Sequence, residues 1–182
     1  VQGSLATNTT INGGRQYVEQ STVETTTIKN GGEQRVYESR ALDTTIEGGT
    51  QSLNSKSTAK NTHIYSGGVL DVSGGTATNV TQHDGAILKT NTNGTTVSGT
   101  NSEGAFSIHN HVADNVLLEN CGHLDINAYG SANKTIIKDK GTMSVLTNAK
   151  ADAIRIDNGG VMDVAGNATN TIINGGTQNI NN

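Results

Sequence analysis

The chain has 182 residues and a formal net charge of −4 at pH 7, with 23 Gly, no Pro, no Trp, one Phe and one Cys. Gly, Thr (26), Asn (22) and Ser (13) make up about 46% of it, and only 32% is hydrophobic, against the 45–50% (Gly included) of an ordinary globular domain; a core of large side chains is excluded. No apolar run approaches the ~18 residues of a membrane span, no charged start with an apolar stretch marks a signal peptide, and the acidic balance leaves no basic footprint for nucleic acid.

A repeat organises the whole chain. A glycine, often doubled, recurs at Gly14, Gly32, Gly49, Gly68, Gly85, Gly104, Gly122, Gly141, Gly160 and Gly176, a mean spacing of 18. Four residues after each comes Val18, Val36, Leu53, Val72, Ile108, Ile126, Val145, Val164 or Ile180, with Lys89 as the exception. Two residues after each comes Gln16, Gln34, Gln51, Leu70, Ile87, Phe106, Leu124, Met143, Met162 or Gln178. This alternation predicts a short strand with positions +2 and +4 inward. Before each glycine runs a second pattern, small-x-x-Thr/Val-x-Ile/Leu, as in Ala6-Thr9-Ile11, Ala59-Thr62-Ile64 and Ala132-Thr135-Ile137; its Ala is read as a tight corner. A unit of this kind buries its apolar face only by stacking on its neighbours. The expected fold is therefore all-β: one right-handed parallel β-helix (β-solenoid) over residues 1–182, about ten coils of about 18 residues.

Several details follow. Gln16, Gln34 and Gln51 share one inward position in successive coils and are expected to form an amide ladder, with the interior fully apolar from Leu70 onward. Ser98–Glu103 is longer than its counterparts and reads as a loop protruding from the sixth coil. Cys121 takes the place of the first glycine of an Asn-Gly-Gly turn, a position that favours unusual backbone angles, so this corner is expected to tolerate a side chain. The outward Asp71, Asp125 and Asp163 stand at equivalent strand positions, two or three coils apart, and read as solvated residues rather than a catalytic carboxylate pair. His109 and His111 lack a third ligand at metal spacing. No catalytic residue, metal or cofactor is implied.

Two sets of residues are candidates for interaction. Ser4, Ser21, Ser39 and Ser57 each stand two residues before the corner Ala or Val, at spacings of 17, 18 and 18, and read as an exposed hydroxyl ladder; Ser55, Ser66 and Ser73 also lie at or near corners. The outward strand residues Arg15, Tyr17, Glu33, Arg35, Thr50 and Ser52 are polar or charged in three successive coils. They form a candidate face for side-by-side, antiparallel self-association.

The units Ala6-Thr-Asn-Thr-Thr-Ile-Asn-Gly-Gly14 and Ala168-Thr-Asn-Thr-Ile-Ile-Asn-Gly-Gly176, with the block Gly104-Ala-Phe-Ser-Ile108, resemble repeats of self-associating autotransporter passengers of the AIDA, antigen 43 and TibA type. The resemblance covers the whole chain. It implies a non-enzymatic adhesin fragment at the bacterial surface that binds host cells, autoaggregates and promotes biofilm. It also implies O-linked heptose on Ser or Thr, added in the cytoplasm by a dedicated heptosyltransferase before export. The alternatives are a β-helix carbohydrate-active enzyme and a structural spacer of a secreted protein. Absence of a clustered acid/base pair weighs against the enzyme.

Overall fold

The computed structural model describes residues 3–181, and among them every regular element is a strand. The chain winds as a β-solenoid. Each coil lays a strand on the one before it, and the +2/+4 alternation of the sequence becomes alternating burial along the strands. The first sheet has eleven strands: Leu5–Asn12, Thr22–Lys29, Arg40–Glu47, Thr58–Ile64, Thr76–Gln82, Thr96–Asn101, Gly104–His109, Val112–Asp114, Ser131–Asn133, Lys150–Asp152 and Asn167–Thr169. The second has nine: Arg15–Glu19, Glu33–Tyr37, Thr50–Leu53, Val69–Val72, Ile87–Asn91, His123–Ile126, Thr142–Val145, Val161–Val164 and Thr177–Ile180. A third, smaller sheet of four opens at Leu117–Leu118 and continues through Ile136–Ile137, Arg155–Asp157 and Ile172–Asn174.

The bend in the first half lies two residues beyond the Ala expected to mark the corner. Ala41, Ala59 and Ala77 are inward residues within strands, stacked in register and buried. The turn of direction falls at a left-handed residue, one per coil: Asn8, Thr25, Asp43, Asn61, Asn79, Asn115, Lys134, Ala153 and Asn170, with φ between 50° and 58°. Asn and Asp predominate because their short side chains tolerate this region. They also pair between coils, Asn61 Nδ2 donating to Asp43 Oδ1 (2.8 Å) and Asn79 Nδ2 to Asn61 Oδ1 (3.1 Å). From Asn115 onward the same residue separates a first-sheet strand from a third-sheet strand. The third sheet is thus the continuation of the Thr-x-Ile half of the motif.

Stacking fixes what each file may contain. Ile11, Ile28, Ile46 and Ile64 form one inward file, and all are buried. Thr26, Thr44 and Thr62 form the next, where the Thr methyl packs as Val80 does in the following coil. The amide ladder forms: Gln34 Nε2 donates to Gln16 Oε1 (2.8 Å), and Gln51 Nε2 donates to both Gln34 Oε1 (2.7 Å) and Thr44 Oγ1 (3.0 Å). The second glycine of each turn lies where the chain crosses the previous coil; a Cβ on Gly49 would sit 2.5 Å from Ile28 Cγ2 and 2.7 Å from Gly32 O. Cys121 has φ of 75° and is exposed, so its corner keeps the glycine-type backbone while its side chain points to solvent.

Besides the corner, four further expectations need correction. First, the glycine of the fifth coil is out of step. Gly85 has the positive φ of a first glycine, and buried Ala86 takes the place of the second. Leu88 and Thr90, not Ile87, therefore point inward, aligned with Leu70 and Val72, and Lys89 faces out as parity requires.

Second, Ser98–Glu103 is not a loose loop. Strand Thr96–Asn101 turns back through Ser102 and Glu103, so that Gly104–His109 pairs antiparallel with it and with Val112–Asp114. Phe106 and Ile108 are buried, but within the first sheet. The Gly104 repeat is thus a hairpin in place of a coil. Strand Ile87–Asn91 pairs directly with His123–Ile126, Lys89 opposite His123.

Third, that pairing shifts the files by two residues: Asp71 aligns with Lys89, whereas Asp125 aligns with Asn91 and Ser144. Asp71 and Asp125 are therefore not equivalent.

Fourth, the interior is not fully apolar beyond Leu70. Gln82, Thr90, Thr92, Thr95 and Thr135 are buried. Several serve the interruption: Gln82 Nε2 donates to Leu117 O (3.2 Å), and Thr92 Oγ1 accepts from Asn127 N (3.0 Å). Backbone groups that lose a strand partner at the hairpin are satisfied by these side chains.

Two predictions test the interior. The Thr26 and Thr62 hydroxyls are buried without a hydrogen-bond partner, so Thr26→Val and Thr62→Val should leave the stability measured in thermal unfolding unchanged or raise it by up to about 2 kcal/mol. Thr44→Val, which removes a partner of Gln51, should lower it. In the amide ladder, Gln34→Leu alone removes the donor to Gln16 and one of the two acceptors of Gln51 and should cost about 1–3 kcal/mol. Adding Gln51→Leu should recover part of that loss in denaturant unfolding; a double variant less stable than the sum of the singles contradicts the ladder.

Candidate functional site

The four ladder serines are in coil-to-coil register, since Thr22, Arg40, Thr58 and Thr76 donate their amides to the carbonyls of Ser4, Ser21, Ser39 and Ser57 in turn. Their exposure differs from the expectation. Ser4 is exposed and Ser21 half-buried, but Ser39 and Ser57 are only 4% and 1% exposed. The Ser39 hydroxyl donates to Tyr37 O (2.7 Å) and accepts from Ser21 N (3.0 Å), and the Ser57 hydroxyl donates to Val36 O (2.6 Å). Parity is the cause: a residue two before the inward Ala lies on the same side of the chain. Ser39 and Ser57 tie the corner to the coil beneath. Ser55, Ser66 and Ser73 are exposed, with the Ser73 hydroxyl donating to Asp71 Oδ1 (3.1 Å).

The candidate self-association face lies on the first three strands of the second sheet. Arg15, Glu33 and Thr50 form one outward file, and Tyr17, Arg35 and Ser52 the next but one. Glu33 is the hub. Arg15 Nε lies 3.0 Å from its carboxylate, and Arg35 Nε donates to the other oxygen; this bond and the carboxylate charge raise the Arg35 pKa. The Arg35 guanidinium also lies 5.9 Å from the Tyr17 ring centroid, within cation–π range. Tyr17 remains 59% exposed. The face is thus organised by its own contacts and presents two cations and an aromatic ring around one acid.

Neither chemistry set aside in the sequence converges. Asp125 binds His123 (Nε2 to Oδ1, 2.9 Å), and Asp163 accepts from Asn179 Nδ2 (2.7 Å). The His109 ring lies 3.4 Å from the Thr96 hydroxyl, and no group of three or more His, Cys, Asp or Glu is placed to hold a metal among the described residues. One cluster escaped the sequence reading. Tyr65 and His83 stack in successive coils, rings 4.3 Å apart with planes within 7°. Their spacing of 18, one repeat, was the available signal.

Known proteins resemble this chain in parts. Residues 98–160 match the family described as the adhesin of a bacterial autotransporter system, probable stalk. The probable autotransporter YpjA of Escherichia coli (strain K12) is 89% identical over 95 residues, 52% of this chain and 6% of that protein. Autotransporter CRAC of Citrobacter rodentium (strain ICC168) is 45% identical over 62 residues, 34% of this chain and 4% of that protein. Among solved structures, a TibC-catalysed hyper-glycosylated TibA fragment aligns with 98% of this chain and 82% of its own at 25% identity and a TM-score of 0.42. Together with the repeats, these sequence similarities support a resemblance to AIDA-type autotransporter passengers. It spans a small fraction of the curated relatives it matches.

The inward serines yield a further expectation. Ser39→Ala leaves the Ser21 amide without its partner and should lower stability by about 1–3 kcal/mol. Ser57→Ala removes one of two hydrogen bonds to Val36 O, which keeps Asn54 N, and should cost about 0.5–1.5 kcal/mol, whereas Ser55→Ala and Ser66→Ala should fall within about 0.5 kcal/mol of the parent. Urea unfolding of the four single variants measures this.

Proposed function

We propose that this segment is a non-enzymatic adhesive element of a surface-exposed autotransporter passenger, active in host-cell adhesion, autoaggregation and biofilm. The observation that carries the reading is the repetition of outward polar ladders along the stacked coils of residues 15–53, in a chain whose residues 98–160 match the autotransporter stalk family. Each exposed contact is weak, about 0–1 kcal/mol for an ion pair, but a rigid rod presents many at fixed spacing, so avidity supplies the strength. Two rods meeting antiparallel present the Arg15–Ser52 face to itself, as a two-fold contact requires. The Tyr17 ring and the outer edges of Arg15 and Arg35 make the contact.

The same segment is proposed as an acceptor for an autotransporter heptosyltransferase acting in the cytoplasm before export. This extension rests on the family resemblance and on hydroxyls that face solvent: Ser4, Ser55, Ser66 and Ser73, with Ser21 less open. Heptose on Ser39 or Ser57 is incompatible with the folded coil, because both hydroxyls are enclosed and bonded to backbone.

Two experiments test these readings. Arg15→Glu with Arg35→Glu turns the face uniformly acidic around Glu33. Cells displaying this variant should lose autoaggregation in a sedimentation assay and regain it at high ionic strength, where like charges are screened. Sedimentation equal to that of the parent contradicts this face. For glycosylation, peptide mapping after co-expression with the transferase should place heptose on Ser4, Ser55, Ser66 or Ser73. Replacing those four by Ala should reduce the heptose count per chain; an unchanged count, or heptose at Ser39 or Ser57 in the folded chain, contradicts the assignment.

A further inference from the structure

The ring ladder ends where the coil stack is interrupted. Tyr65 and His83 occupy one corner in successive coils, their amides donating to Ile46 O and Ile64 O, and their parallel rings lie about one strand spacing apart. His63 extends the cluster, its ring 6.2 Å from that of His83. No ring follows in the next coil, because there the chain turns back into the hairpin, whose tip stands beside His83. A cleft of about 270 Å³ lies between, lined by His83, Asp84 and Thr81 on the coil side and by Thr100, Asn101 and Ser102 on the hairpin side. His83 Nε2 is shielded from solvent and has no hydrogen-bond partner among the described residues.

The hairpin wall is held in place. Asn101 Nδ2 donates to Asn115 O (3.0 Å), and Asn115 Nδ2 donates to Ala105 O (2.9 Å) and Glu103 O (3.3 Å). The Glu103 carboxylate reaches Lys138 Nζ at 3.5 Å and Arg155 at 3.9 Å on the coils beyond. A cleft with fixed walls spares a ligand the cost of ordering them.

The lining selects the ligand class. No lining residue is apolar, which disfavours a lipid tail or a hydrophobic side chain. No Lys or Arg lines it and Asp84 does, which disfavours phosphate, sulfate or an acidic sugar. Hydroxyl, amide and carboxylate groups supply donors and acceptors, and the terminal ring of an aromatic ladder supplies a face against which C–H groups pack. We propose that this cleft binds one uncharged pyranose ring of a glycan, packed beside His83 and hydrogen-bonded by Asp84, Asn101 and Ser102. The site deepens the adhesive reading above by naming a ligand class. Cells that aggregate while the purified chain binds no saccharide would sink the site and leave that reading standing.

Saturation-transfer NMR on the purified chain tests it, with the methyl glycosides of mannose, galactose and N-acetylglucosamine as probes. Sialyllactose and p-cresol serve as the acidic and aromatic-side-chain comparators. At least one neutral glycoside should receive transfer to its ring protons. His83→Ala should weaken binding by up to about tenfold, the scale of one aromatic contact, while His83→Phe keeps the ring and should retain binding. Ser102→Trp fills the cleft from an exposed position and should abolish binding with the thermal midpoint unchanged. No transfer to any neutral glycoside, binding insensitive to both His83→Ala and Ser102→Trp, or preference for sialyllactose or p-cresol overturns the proposal.

Discussion

Everything in this molecule depends on one constraint: each residue must fit directly above its counterpart in the previous coil, one strand spacing away. A residue type that stacks on itself is therefore repeated, and one that does not is removed. Ile stacks on Ile, Ala on Ala, and amides bond to amides, as in the Gln16–Gln34–Gln51 and Asp43–Asn61–Asn79 ladders. The same constraint explains the composition. With so few large apolar side chains, cohesion comes from a continuous backbone ladder and a narrow, closely packed interior.

Strand positions and inward files are readable from the sequence because period-2 alternation within a coil and the 18-residue period between coils reinforce each other. Three features were less accessible. A glycine marker gives position to within one residue, which is one face of a strand; Ala86 in place of a second glycine was enough to reverse the reading of Ile87 and Leu88. The hairpin imitates a repeat, since Gly104-Ala-Phe-Ser-Ile108 has the inward alternation of a coil strand. Alternation does not encode strand direction, and only pairing shows that this strand runs antiparallel. The serine ladder is legible in its spacing, but its side follows from parity and not from its place near a corner: an even separation from Ala41 and Ala59 puts Ser39 and Ser57 inward.

The outer surface follows a different logic from the interior. Its charges are largely used within the chain: Glu33 holds Arg15 and Arg35, Lys56 pairs with Glu38 at 3.0 Å, and Lys29 with Glu47 at 2.9 Å. Glu38 is held below its ordinary pKa first by the hydrogen bond from Lys56 and then by its charge. Such ladders organise a surface without making it strongly attractive, which suits an element whose adhesion is multivalent. The hairpin adds to this surface a cleft whose walls come from two kinds of structure, a coil corner and an antiparallel strand.

The central claim is that the hairpin replaces a coil, so that Ile87–Asn91 lies directly against His123–Ile126. Disulfide trapping between Lys89→Cys and His123→Cys, in a Cys121→Ser background, measures it most directly. Register partners in adjacent strands fall within the ~4.4–6.8 Å Cα separation that a disulfide spans, whereas strands separated by an intervening coil stand about 10 Å apart. The structure predicts ready cross-linking of this pair under mild oxidation. Failure of the pair to cross-link, with trapping of Lys89→Cys by Ser107→Cys instead, would mean that Gly104–His109 is stacked as a parallel coil, and would contradict the account.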